Sequence, residues 1–60
     1  MRALRIALAD PDPGTRAELA LWLTKLGHVV LTADDGRMVA DLYRGGCDLA
    51  IADAAVAGLD

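Results

Sequence analysis

Apolar residues run along the chain in short bursts, and each burst ends on a charge or a turn-forming residue. Leu4 to Ala9 is the first burst, closed by Asp10-Pro11-Asp12-Pro13-Gly14. A short apolar run that stops at so dense a turn signal predicts a buried strand. Asp12 before Pro13 then has the form of a helix cap followed by proline at the first helical position. Thr15 and Glu18, at capping-box spacing, compete for that role. In the helix that follows, Leu19, Trp22, Leu23 and Leu26 recur at i, i+3, i+4 and i+7, which predicts one apolar stripe, with Trp22 in or beside the core. Gly27 follows as the expected stop.

His28 to Thr32, β-branched at Val29, Val30 and Thr32, predicts a second strand. Asp34-Asp35-Gly36 then opens a second helix, with either aspartate able to cap it and complement its dipole. Met38, Val39, Leu42 and Tyr43 give that helix an apolar side, and Gly45-Gly46 end it. Leu49 to Ala52 is apolar at consecutive positions, as in a strand covered on both faces, and it terminates in Asp53. The small residues from Ala54 onward read as a loop. Strands alternating with helices predict a parallel sheet joined by right-handed crossovers.

Composition narrows the function classes. The chain is 55% hydrophobic, which argues against disorder. No apolar run approaches the roughly 18 residues of a membrane span, and Ile6 to Ala9 is too short for a signal-peptide core. The sequence therefore predicts a soluble, cytoplasmic chain without membrane contact. A net charge of −3, with six scattered Lys and Arg residues, gives no basic face for direct nucleic-acid binding. The single cysteine, Cys47, can form no internal bridge and is expected as a small buried thiol. His28 has no His or Cys at ligand spacing and is expected to be structural.

Chemistry concentrates at the strand ends. In an open parallel sheet, ligands bind outside the carboxyl ends of the strands. Asp10 ends the first strand and Asp53 the third. If those strands are neighbours, the two carboxylates emerge at one edge, about 5 Å apart at the backbone. Two acids at that spacing suit a hard cation with oxygen ligands, most plausibly Mg²⁺, which would let a carboxylate attack a phosphoryl group. Helix capping or solvation explains strand-end acids equally well on spacing alone. Other α/β chemistries lack their motifs: there is no G-x-G-x-x-G after the first strand, no Walker lysine and no G-x-S-x-G elbow.

Several stretches together resemble the receiver domain of bacterial two-component response regulators. They are Arg5 to Pro13, Leu26 to Val30, Thr32 to Gly36, and above all Asp48-Leu49-Ala50-Ile51-Ala52-Asp53 followed by Gly58-Leu59-Asp60. The resemblance implies a flavodoxin-like α/β fold whose β-α-β-α-β half spans residues 1–60, with sheet order 2-1-3 and helices on both faces. It implies Asp53 as phosphoacceptor, Mg²⁺ held by Asp10, Asp53 and the Ala55 backbone carbonyl, and a histidine kinase and an effector as partners. Such a domain accepts phosphate and is not otherwise an enzyme. A degenerate receiver that acts only by docking is the alternative.

The pattern departs from the family at Pro11, where a second acid is usual, and at Ala57, where proline is common. Asp12 could substitute as a metal ligand or serve as the helix cap. The family's remaining two strands and three helices supply a hydroxyl residue and a lysine that residues 1–60 do not contain. The third strand is accordingly expected as an exposed parallel edge, through which the chain would oligomerise unless it belongs to a longer protein.

Overall fold

The computed structural model describes residues 2–53. Its elements alternate as β1 (Arg5–Ala9), α1 (Pro13–Lys25), β2 (Val29–Ala33), α2 (Gly36–Arg44) and β3 (Leu49–Ala52). The three strands form one parallel sheet in the order β2-β1-β3. This is the α/β half expected from the alternation. The loop read after Asp53, including Ala55, lies outside the described residues.

Each helix starts and stops where side-chain and backbone chemistry dictate. Asp12 caps α1: its Oδ2 accepts from the Thr15 amide at 2.9 Å and from the Thr15 hydroxyl at 2.6 Å. Asp35 caps α2, accepting from the Met38 amide at 2.8 Å. These bonds satisfy amides that have no partner inside the helix. At the other end of α1, Gly27 has φ +93°. Its amide donates to Thr24 O and that of His28 to Leu23 O, the paired bonds of a Schellman turn. Gly46, with φ +119°, follows α2 with one such bond, its amide donating to Tyr43 O at 3.2 Å.

The order β2-β1-β3 fixes which surfaces are covered. The chain crosses from β1 to β2 in one direction and from β2 to β3 in the other, so right-handed crossovers put the two helices on opposite faces. Ala7 and Ala9 pack with Ala33, Val39 and Cys47 on the α2 side. Ile6 and Leu8 alternate to the α1 side, and all four β1 residues are about 1% exposed or less. Cys47 is a buried free thiol, as composition suggested.

Two expectations about burial do not hold. Trp22 and Leu26, expected on the inward stripe, are 65% and 62% exposed, and Leu19 is exposed too. The inward side of α1 is instead Arg16, Ala20 and Leu23, its three least exposed residues at i, i+4 and i+7. Strand β3, apolar at every position, is exposed along its length. It lies at the sheet edge, and α1 reaches only β1 and β2. The exposed parallel edge anticipated for the third strand is present.

Candidate functional site

The rim formed by the carboxyl ends of β1 and β3 gathers the acids singled out above. Ala9 and Ala52 are the last register partners of the two strands. One step further, the Asp53 amide still donates to Ala9 O at 3.2 Å. Asp10 and Asp53 therefore leave adjacent strands at the same level, with backbones one strand spacing apart, about 4.8 Å. Neighbouring strands and a common rim are what the two-carboxylate reading required.

Asp10 is held rather than free to wander. Only 8% of it is exposed, and Oδ1 accepts from the Asp12 amide at 2.9 Å. That turn is made by a short acid hydrogen-bonding its own backbone two residues on. One amide bond leaves most of the carboxylate's acceptor capacity available.

Asp12 is placed differently. Its Oδ2 is engaged by Thr15, so the capping alternative is the one observed. Those bonds, the hydroxyl first and then the amide, hold its carboxyl below the ordinary aspartate range. Pro11 contributes no side-chain ligand between the two acids. Among the described residues, no group of three or more His, Cys, Asp or Glu side chains could hold a metal ion. Two aspartates, Asp10 and Asp53, stand at this rim.

Arg16 completes the surroundings and was not anticipated. Its guanidinium donates to the Asp10 carbonyl at 2.9 Å and lies 3.5 Å from Asp34 Oδ1. The bond to Asp10 ties the first turns of α1 to the end of β1. The contact to Asp34 reaches the turn before α2 but is largely exposed, so it adds little stability.

The remaining candidates are structural. His28 Nδ1 accepts from the Leu4 amide at 3.0 Å, fastening the start of β1 to the turn before β2. Asp48 binds the Arg5 amide through Oδ2 at 2.9 Å and Arg2 through Oδ1 at 3.0 Å, which locks the first residue of β1 beside β3. This pins β3 at the rim opposite Asp53. A cavity of about 510 Å³ opens between α2 and β3 over Ala50 and Ala52, but neither Asp10 nor Asp53 lines it.

Comparison with known proteins adds no family: no family model, curated protein or solved structure matches the chain. Among the described residues, no helix is long and apolar enough to cross a membrane.

Proposed function

We propose that the chain is the first part of a receiver-type signalling domain that accepts a phosphoryl group from a histidine kinase on Asp53. The observation that carries this reading is the adjacency of Asp10 and Asp53 at the carboxyl rim of β1 and β3. In this reading an Asp53 carboxylate oxygen forms a bond to phosphorus as the bond from phosphorus to the kinase imidazole breaks. The imidazole leaves and takes a proton from water. Asp10 and Asp53, with the Ala55 carbonyl, would hold Mg²⁺, which screens the negative charges of carboxylate and phosphoryl group. Asp10 is oriented by the Asp12 amide, and Arg16 holds the backbone behind it. The domain serves as a phosphoacceptor in the cytoplasm and passes its change of state to an effector.

The test is incubation of the complete protein with Mg²⁺ and a small acyl-phosphate donor. The expected product is a hydroxylamine-labile adduct, one phosphoryl group heavier, that disappears in Asp53→Asn. An adduct that survives this substitution, or none at all, refutes the reading.

A second reading is favoured by Pro11 and by the commitment of Asp12 to its helix. With one acid missing and another occupied, the chain would act as a degenerate receiver that docks without turning over phosphate. Magnesium titration separates the two, since only the first predicts binding that depends on both Asp10 and Asp53.

A further inference from the structure

Three hydrogen bonds close a ring around the first acid of the rim. The Asp12 amide donates to Asp10 Oδ1, the Arg16 amide donates to the Asp12 carbonyl, and the Arg16 guanidinium donates back to the Asp10 carbonyl, each at 2.9 Å. The ring begins on the side chain of Asp10 and ends on its backbone, so it fixes the carboxylate relative to its own main chain. Pro11 adds a further restraint, since the residue before a proline is held away from the helical region. Asp10 is 8% exposed and the Arg16 side chain 22%, so water competes weakly for these bonds. Every member of the ring lies between residues 10 and 16, and no other part of the chain is needed to close it.

Helix stability alone does not call for an arginine at this place. Arg16 stands on the inward line of α1 with Ala20 and Leu23, where a charge is costly unless it is bonded. An apolar side chain of similar length would fill the same space without that cost. The contact to Asp34, at 3.5 Å to a side chain 87% exposed, is screened by water and holds little. What the guanidinium adds is a charge-assisted donor aimed at the Asp10 carbonyl. A carboxylate oriented in advance has less freedom to lose when it takes up a cation.

We propose that Arg16 is a positioning residue for the Asp10 carboxylate, acting through the Asp10 carbonyl and the Asp10–Asp12 turn and not through its charge. The use of that orientation, to present Asp10 to a divalent cation, rests on the reading of the rim under Proposed function; the orientation itself does not. Charge and position predict opposite signs. Removing a positive group near a cation site strengthens cation binding by Coulomb's law. Releasing a metal-binding side chain from the partner that orients it weakens binding, commonly by about tenfold or more.

Arg16→Met in the complete protein tests it, because methionine keeps an unbranched stem and removes every donor. Without metal, amide NMR spectra are expected to show the Asp12 resonance shifted and its exchange with water faster. The Thr15 amide, held by Asp12 Oδ2, keeps its protection. Isothermal titration with Mg²⁺ is expected to show binding weaker by about tenfold than in the parent. Asp34→Asn, which disturbs only the exposed contact, leaves both readings unchanged. Arg16→Lys keeps the charge on a shorter stem and is expected to fall between parent and methionine variant in both; it carries the test if circular dichroism shows Arg16→Met unfolded. An Asp12 amide indifferent to Arg16, or Mg²⁺ binding that is unchanged or tighter in Arg16→Met, overturns the proposal. A parent that binds no Mg²⁺ refutes the cation reading of the rim, and the Asp12 amide then decides by itself whether Arg16 positions Asp10.

Discussion

Leu8 and Ile51 are register partners on neighbouring strands and point to the same face, yet one is 1% and the other 37% exposed. Truncating each to alanine measures what the strand order does to the core. For Leu8→Ala, the lost transfer energy and the cavity left under α1 together cost about 3 kcal/mol. A sixty-residue domain at ~0.05–0.15 kcal/mol per residue has only roughly 3–9 kcal/mol in total. The Leu8 variant should therefore lose from about a third to all of that stability. Ile51→Ala removes a side chain about two-thirds buried at an open edge, where no closed cavity forms, and should cost about 1–2 kcal/mol. Urea unfolding followed by circular dichroism, at low protein concentration, reads both as midpoint shifts with little change in slope. Equal costs, or a larger one for Ile51, would mean that β1 is not the covered central strand.

Other consequences are more local. Asp35→Ala removes the cap of α2 and should cost about 1 kcal/mol, seen as an earlier urea midpoint. Gly46→Ala meets no neighbouring atom, so its penalty of at least about 1 kcal/mol comes from φ +119° alone, and Gly46→Asn should cost less. The folded-state pKa of Asp12 lies below its ordinary value of 3.8, so the stabilisation from its bonds is complete above that value and lost as pH falls through the lowered one. Acid titration of stability should accordingly show a shallower decline in Asp12→Asn than in the parent. Pro11→Asp places a carboxylate between Asp10 and the cap, and isothermal titration should show tighter Mg²⁺ binding; no change would count against a cation at this rim.

The alternation of bursts and turns was enough to place all five elements, because each boundary has a local chemical cause. Asp12 and Pro13 open α1, Gly27 closes it, and Asp35 opens α2. Strand β2 begins one residue later than its apolar pattern suggests, at Val29, since the His28 amide is donated to Leu23 O in the turn that closes α1. Strand order was not readable from the strand ends, which left it a condition; only the resemblance implied the order that the sheet has. Nor was the orientation of α1 readable. Periodicity reports which side of a helix is apolar, and says nothing of what that side meets. Ala20 is too small to mark the true inward line, and Arg16 within it carries a charge that pattern reading sets aside. Its bond to the Asp10 carbonyl depends on how the end of β1 turns, which no spacing records. The acid pair was legible for the opposite reason: it needs only that two strands be neighbours.

The rim and the bare face meet in one short strand. β3 is held by its ladder to β1, by α2 on one side, and by Asp48 clasping Arg5 at its first end. Its other face is open, and Asp53 follows its last residue. Four residues secured on one side have a modest barrier to local opening, so the position of Asp53 depends on how firmly β3 is covered. Whatever shields Leu49 and Ile51 stabilises the strand and with it the alignment of the two carboxylates. Conversely, a cation bridging Asp10 and Asp53 would tie the far end of β3 to β1 and favour the same covered state. Linkage makes that coupling reciprocal: whatever covers the open face of β3 should tighten cation binding by the factor by which the cation tightens that cover.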